Sequence, residues 1–141
     1  MMYKVLFTLF FACFAMLLPA QSPIGTWKNI DDETGEAKGH IRIYEQNGQL
    51  FGQVVQLLKS APDKKCDKCP GDRKDKPVLQ MVVLENMRLK DGYWQSGRIL
   101  DPEKGKWYTC NLWLKPGDPN VLVVRGYIGP FYRTQYWYRV P

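Results

Sequence analysis

Two segments carry most of the structural information in this chain: Ile24-Gly25-Thr26-Trp27 near its start and Gln135-Tyr136-Trp137-Tyr138-Arg139 at its end. A small β-barrel closes one end with a Gly-x-Trp on the first strand and a basic residue on the last. The indole plugs that end, while a guanidinium stacks on its face and donates hydrogen bonds to nearby carbonyls. We therefore predict that Gly25, Trp27 and Arg139 close one end of a barrel.

Strand-type segments recur between these two ends and are separated by turn sequences. Segment 39–45 alternates polar and apolar residues, and Asn47-Gly48 after it is a strong hairpin signal because both residues tolerate positive φ. After residue 20, no segment has a sustained apolar period of 3.6 residues, which excludes a helical bundle. The predicted strands cover residues 24–30, 39–45, 49–59, 77–84, 93–100, 107–114, 121–127 and 132–140.

These segments predict an all-β fold, an eight-stranded antiparallel up-and-down β-barrel. Closure of the sheet removes the exposed edges that eight short strands would otherwise leave. A β-sandwich is the alternative architecture. Eight strands enclose just enough room for side chains or for one small ligand.

Residues 1–20 have the three parts of a secretory signal peptide: a basic residue, the apolar run 5–18 and a small residue at the cleavage point. The apolar run is shorter than the roughly 20 residues that a transmembrane anchor needs. A lipoprotein signal at Cys13 is disfavoured because bulky residues precede it. We expect cleavage after Ala20, which leaves a single exported barrel domain of residues 21–141, periplasmic or secreted, without a membrane span.

The charge pattern argues against a nucleic-acid partner. The chain has 20 Lys and Arg against 14 Asp and Glu, a net charge of +6 that loss of Lys4 with the leader lowers by one. The charges are interspersed except in the lysine-rich loop 64–76, whereas nucleic-acid-binding proteins concentrate basic residues on one face or helix. We expect a solvated basic surface.

A series of short segments spans nearly the whole mature chain. In order, they are Gly25-Thr26-Trp27, Asp31-Asp32-Glu33-Thr34-Gly35, Ile43-Tyr44-Glu45, Cys66-Asp67-Lys68-Cys69, Ile99-Leu100-Asp101-Pro102, Gly105-Lys106, Arg125-Gly126-Tyr127-Ile128-Gly129 and Arg133-Thr134-Gln135. In these segments the chain resembles the bacterial family domain of unknown function 2147. The resemblance implies a small exported protein with a calycin-like or lipocalin-like barrel, and it implies no established activity. One departure is Tyr132, where the family has glycine, and it bears on the turn after Gly129.

Three cysteines remain after the predicted leader: Cys66, Cys69 and Cys110. Cysteines usually pair in an oxidising compartment, so the first expectation is a disulfide from Cys110 to one of the other two, which would pin the long loop to the barrel. The alternatives are a local Cys66–Cys69 bridge, a thioredoxin-like redox pair and a zinc site of three thiolates with His40. A second paired-ligand motif is absent, so we expect no metal and no cofactor.

No catalytic centre can be assembled from the sequence. His40 is the one histidine that could act as a base, and none of Ser22, Ser60 and Ser96 lies in a nucleophile-elbow motif. The carboxylates cluster in turn sequences, where aspartate caps backbone donors. We therefore expect that the protein is not an enzyme.

The last strand carries the best candidates for ligand binding. Alternation places Arg133, Gln135 and Trp137 on one face, although it does not say which face points inward. If this face is lumenal, we expect a pocket formed with Arg125 and Tyr127 of the preceding strand, suited to a small acidic or amphiphilic ligand under an aromatic wall. In the alternative, these arginines tie together a packed barrel end that holds no ligand.

The sequence thus favours non-catalytic binding of a small hydrophobic or weakly acidic ligand inside a barrel. One alternative is an envelope interaction module that docks through the lysine-rich loop or through exposed tyrosine and tryptophan residues. Another is a redox or zinc-dependent role for Cys66, Cys69 and Cys110.

Overall fold

The structure is a computed structural model that describes residues 21–141, so the predicted leader, residues 1–20, lies outside the described residues. Eight antiparallel strands follow one another in chain order and close into a barrel, which confirms the predicted fold class. The strands are β1 (Gly25–Ile30), β2 (Ala37–Gln46), β3 (Gln49–Leu57), β4 (Val82–Lys90), β5 (Tyr93–Asp101), β6 (Lys106–Lys115), β7 (Asp118–Ile128) and β8 (Phe131–Arg139).

The barrel overturns the β-sandwich alternative because β1 pairs with β2 on one side and with β8 on the other. The only helical segment in the described part of the chain is a single 3₁₀ turn, Gly71–Arg73. Within residues 21–141, no helix has the length and apolar character needed to cross a membrane.

Glycine, tryptophan and arginine meet at the seam between the first and last strands. Trp27 pairs with Arg139 in the β1–β8 ladder, and the Arg139 guanidinium lies 4.3 Å from the centroid of the Trp27 ring. Gly25 has φ 140°, and a Cβ at this position would lie 2.8 Å from Arg139 Nη1, so the approach of the guanidinium requires glycine. The guanidinium also donates to three backbone carbonyl oxygens, those of Ser22, Ile24 and Pro119.

Large side chains fill the interior next to this seam, which we call the closed end. The β7–β8 register places Leu122 beside Trp137 on the inner face. The residues here with no exposed surface are Trp27, Leu50, Met87, Leu112, Leu122 and Trp137. These side chains form the packed core of the closed end.

The opposite end of the barrel, which we call the mouth, carries the connections after β1, β3, β5 and β7. Since neighbouring strands run antiparallel, residues 31–36, 58–81, 102–105 and 129–130 all lie at this end. The last of these is a two-residue turn that pairs Ile128 with Phe131. Tyr132 therefore lies within the β8 ladder and leaves the turn tight.

The fourth strand begins later than predicted, at Val82 instead of residue 77. Val78 and Met81 are buried in the connection that precedes the strand. The apolar run therefore indicates burial, but these residues are not part of the β4 strand. Gln80 has φ 72°, which interrupts the extended chain before β4 begins. The sequence prediction also misses the polar second half of β4, where Asn86 has φ 60°.

A disulfide links Cys66 to Cys69 within the long connection 58–81, with Cα atoms 5.3 Å apart. The expected disulfide from Cys110 is therefore wrong, and Cys110 is a buried free thiol. The physical reason is position: Cys110 lies inside the barrel, paired with Gly97 and Gly126, whereas Cys66 Sγ lies 3.4 Å from the Pro102 carbonyl oxygen at the mouth.

Two arginines fasten the long connection to the outer wall of the barrel. The guanidinium of Arg73, in the 3₁₀ turn, lies 4.8 Å from the centroid of the Trp107 ring, and that of Arg98 lies 3.9 Å from it. Both arginines also donate to Glu85, at 3.1 and 2.7 Å. The connection is thus held against β4, β5 and β6 by side-chain contacts in addition to its disulfide.

Candidate functional site

A cavity of about 140 Å³ opens at the mouth of the barrel. Most of its wall is aliphatic, because the inward-facing residues near the mouth are β-branched or leucine side chains. The aliphatic lining consists of Ile41, Val54, Leu57, Val78, Val83, Ile99, Leu100, Pro102 and Val124. The charged lining consists of Lys38, Lys59, Lys64, Arg133, Asp101 and Glu103. Apolar walls with a few polar groups are typical of small-molecule sites.

Gly126 creates part of this space. It faces inward on β7 as the ladder partner of Arg133, and a Cβ at this position would lie 3.3 Å from Tyr108 Cβ. Because glycine has no side chain, Tyr108 and Arg133 can lie beside Gly126, and both of them line the cavity.

A hydrogen-bonded cluster at the mouth joins Asp32, in the β1–β2 connection, to the start of β8. Arg133 Nε donates to Asp32 Oδ2 at 2.9 Å, and Arg133 Nη2 donates to Asp32 Oδ1 at 2.5 Å. Gln135 Nε2 donates to the same Oδ1 at 3.1 Å. This is the two-pronged geometry in which a guanidinium binds a carboxylate most strongly.

Trp137 fixes the orientation of Gln135. The indole Nε1 of Trp137 donates to Gln135 Oε1 at 3.0 Å. An indole N–H can only donate, so the amide oxygen must face it and the amide NH₂ must face the mouth. Arg133 and Gln135 therefore present only donors to whatever lies at this position.

The carboxylate and the guanidinium stabilise each other's charged forms. Burial alone would raise the pKa of Asp32, but hydrogen bonds from Arg133 and Gln135 outweigh it and hold that pKa below its ordinary value. The hydrogen bond to Asp32 raises the pKa of Arg133. Both groups are therefore ionised at neutral pH.

The lysines of the mouth are held more loosely. Lys38 Nζ lies 3.8 Å from a Glu103 carboxylate oxygen, and Lys59 Nζ lies 3.7 Å from the other oxygen of Glu103 and 3.5 Å from Glu36. Ion pairs with such long separations and at least one well-exposed partner contribute little to stability. These lysines can therefore reorient toward an entering anion.

The structure divides the predicted ligand-binding residues between two faces. Arg133 and Gln135 line the cavity, and Trp137 lies beneath them on the same inner face. Arg125 pairs with Thr134, and Tyr127 pairs with Tyr132, so both point outward. The expectation that Arg125 and Tyr127 share a pocket with Arg133 is therefore wrong, because side chains of neighbouring residues on a strand alternate between faces.

Arg125 and Tyr127 belong instead to an aromatic outer face. The Arg125 guanidinium lies 4.6 Å from the centroid of the Tyr132 ring and 5.4 Å from that of Trp113, and its Nε donates to Thr134 Oγ1. The exposed aromatic residues of this face and its rim are Tyr93, Phe131, Tyr132, Tyr136 and Tyr138. Beneath them Val121 and Val123 are buried outside the barrel interior.

Sequence reasoning missed Asp32 and Tyr108 as site residues. Asp32 lies in the run Asp31-Asp32-Glu33, which we interpreted as turn chemistry. Asp31 does have that role, since its carboxylate accepts from the backbone N–H groups of Glu33 and Thr34. Asp32 instead contacts Arg133 and Gln135 at the start of β8, and the sequence gives no sign that these residues are close in space.

The described cysteines do not form the zinc site of three thiolates with His40. Two of the three thiolates needed for the zinc alternative are bonded to each other, and residues 21–141 contain no group of three His, Cys, Asp or Glu side chains placed to hold a metal ion. Burial raises the pKa of the Cys110 thiol to about 12, so this sulfur stays protonated and unreactive.

Comparison with known proteins agrees with the barrel. A solved structure of protein HP1028 from the human pathogen Helicobacter pylori, described as belonging to the lipocalin family, superposes with a TM-score of 0.73. The match covers 85% of this chain and 84% of that chain at 14% sequence identity, so the likeness concerns the fold alone. No curated protein matches the chain. Residues 25–139 match the family described as "Uncharacterized protein conserved in bacteria", DUF2147, and since that range includes all eight strands, the chain belongs to this family.

Proposed function

We propose that the protein binds, without catalysis, a small weakly acidic molecule whose apolar part enters the cavity at the mouth. The observation that carries this proposal is the combination of an aliphatic wall with cationic groups at one end of the barrel. Four basic and two acidic side chains line the cavity. The basic side chains would therefore attract an anionic head group, while the aliphatic wall would contact the apolar part of the same ligand.

The size of the cavity sets the scale of the ligand. Its volume of about 140 Å³ is close to that of an engineered apolar cavity of about 150 Å³ that binds benzene. Drug-sized ligands occupy pockets of roughly 300–1,000 Å³. The bound apolar part is thus a single ring or a short alkyl chain, and any larger remainder projects into solvent.

The composition of the wall supports binding over catalysis. Ser60 lines the cavity, but His40, the one histidine of the chain, is not among the lining residues. Hydrolysis by a serine nucleophile requires a base within hydrogen-bond reach of the hydroxyl. The lining supplies no histidine for that role, and Lys59 and Glu103, which also line the cavity, pair with each other.

Export is part of the same proposal. The signal-like residues 1–20 and the Cys66–Cys69 disulfide both support an oxidising destination such as the periplasm. Expression of the full chain in a bacterium tests this: mass spectrometry should find a product that begins at Gln21 outside the cytoplasm. A full-length product retained in the cytoplasm would contradict the export proposal.

Three probes of equal size but different charge test the binding proposal: benzoate, benzamide and benzylamine. Each is titrated into residues 21–141 while two-dimensional NMR follows the backbone amides. We expect benzoate and benzamide to shift resonances of residues that line the cavity, with benzylamine weakest because the lining is cationic. If none of the three shifts these resonances, the cavity is not a site for molecules of this class.

A further inference from the structure

Three donors at the mouth already hold a carboxylate, and that carboxylate belongs to the protein itself. Arg133 Nε and Nη2 and Gln135 Nε2 all donate to Asp32. Arg133 and Gln135 also line the cavity, so the position of the Asp32 carboxylate adjoins the space where the ligand's apolar part lies. Because Gln135 Oε1 accepts from Trp137, only hydrogen-bond donors face this position, and a carboxylate satisfies them more strongly than a neutral oxygen does.

Asp32 can leave this position without unfolding its connection. The turn of residues 31–36 is closed by backbone hydrogen bonds from Asp31 N to Glu36 O and from Gly35 N to Asp31 O. The Asp31 carboxylate also caps two backbone N–H groups of the turn. The Asp32 side chain is 20% exposed and contributes to none of these bonds, so its rotation into solvent leaves the turn closed while it breaks the contacts to Arg133 and Gln135.

Resting on the function proposed above, we propose that Asp32 is an internal occupant of an anion subsite and that the ligand's carboxylate replaces it on Arg133 and Gln135. The exchange conserves the charge pairing of Arg133, since one carboxylate takes the place of another. The ligand therefore gains little from the ion pair itself while Asp32 competes for the same donors. Asp32 in this way sets the affinity for acids relative to neutral molecules of the same shape.

The test compares benzoate with benzamide on Asp32→Asn and on Glu36→Gln. Both substitutions remove one negative charge from the same connection, but Glu36 pairs with Lys59 and does not contact Arg133. We expect Asp32→Asn to tighten benzoate by about tenfold or more, because the two-pronged carboxylate is gone and only the exposed Glu33, 3.2 Å from Arg133 Nη2, still pairs with that guanidinium. Benzamide affinity on Asp32→Asn, and benzoate affinity on Glu36→Gln, should change by less than about threefold.

A measurement on the unsubstituted protein makes the test independent of how Asp32→Asn folds. Benzoate at saturation should shift the side-chain ¹⁵Nε resonance of Arg133, because a new carboxylate replaces the one that Nε contacts. Benzamide at saturation should shift the aliphatic wall but leave Arg133 Nε in place. Arg133→Gln, added to Asp32→Asn, should abolish the gain in benzoate affinity that Asp32→Asn alone produces.

The outcomes separate the two proposals. If neither probe binds, the function proposed above fails and the anion subsite fails with it. If both probes bind with equal affinity, and Asp32→Asn changes them alike, the cavity is a binding site but Asp32 is only a structural tie. A benzoate gain on Glu36→Gln as large as that on Asp32→Asn would assign the effect to general charge and overturn the exchange.

Discussion

The guanidinium of Arg139 lies 4.3 Å from the centroid of the Trp27 ring and thereby joins the last strand to the first. The β1–β8 ladder consists of two residue pairs, Trp27 with Arg139 and Lys28 with Tyr138. With so few backbone pairs at this seam, closure depends on side chains. The stacked guanidinium, its three carbonyl acceptors and the buried indole supply that support.

Loss of the Trp27 indole should strongly destabilise the barrel. Trp27→Ala removes a side chain with no exposed surface and leaves a cavity at the closed end, so we expect a loss of about 3–5 kcal/mol in the free energy of unfolding. Urea denaturation measures this. Tyr138→Ala is the matched control, since Tyr138 lies on the same seam but is 48% exposed. Equal losses in the two variants would contradict the role of Trp27 as an interior plug.

Arg139 should not be replaceable by lysine, even though lysine keeps the charge. Arg139→Lys loses the planar fork that reaches three carbonyls while stacking on the ring, and we expect a loss of about 1–3 kcal/mol. Arg42→Lys is the control, because Arg42 lies 4.8 Å from the Tyr44 ring centroid on the outer surface. The seam account is wrong if thermal unfolding shows the same small shift for both.

The thiols of residues 21–141 should react in a fixed order. In the native protein without reductant, no cysteine should react with a thiol reagent, because Cys110 is buried and burial raises its pKa to about 12. Unfolding without reductant should expose Cys110 alone, and reduction should expose Cys66 and Cys69 as well. Peptide mapping that finds Cys110 disulfide-bonded would contradict this pairing.

The Asp32–Arg133 pair should make stability depend on pH in the acid range. The pKa of Asp32 in the folded state lies below its ordinary value of 3.8, so its contribution to stability is present above that value and is lost as the pH falls through the folded-state pKa. The difference in unfolding free energy between the native protein and Asp32→Asn should therefore be constant from pH 7 to about pH 5 and shrink below about pH 4. A difference that persists unchanged into strong acid would show that the Asp32 charge contributes nothing.

Filling the cavity should abolish ligand binding without unfolding the barrel. Val124 faces the cavity, whereas Val123, its neighbour on β7, is buried on the outer side beneath aromatic residues. Val124→Phe should remove the resonance shifts caused by benzoate and benzamide, because the ring occupies the space of the probe. Val123→Phe adds the same volume on the other side of the strand and should retain them. If Val123→Phe is the variant that loses binding, the probes occupy the outer face.

The sequence was sufficient for the barrel because alternation, turn signals and the paired Gly-x-Trp and arginine all point to the same closed sheet. It was insufficient for the cavity because the alternation of side chains along a strand shows which residues share a face, but it does not show how neighbouring strands are aligned. The turn at Gly129-Pro130 pairs Gly126 with Arg133, which turns Arg125 outward. The Asp32 contact joins residues 101 positions apart, and the identity of the residues gives no sign of it.

The sequence predictions of the cysteine pairing and of the fourth strand were wrong for a different reason. An oxidising compartment indicates that cysteines pair, but it does not indicate which two of the three do so. The pairing is decided by the position of Cys110 on β6, where its ladder partners are Gly97 and Gly126. Val78 and Met81 are as apolar as strand residues, yet they bury against the barrel from an irregular connection. Local hydrophobicity reports burial, and the backbone conformation there is set by tertiary contacts.

A crystal structure of residues 21–141 with bound benzoate tests the central claim most directly. We predict the ring at the mouth between the aliphatic side chains of β2, β4 and β7, with the carboxylate on Arg133 and Gln135 and the Asp32 side chain turned into solvent. A benzoate bound only on the aromatic outer face around Arg125, with the mouth cavity unchanged, would contradict it.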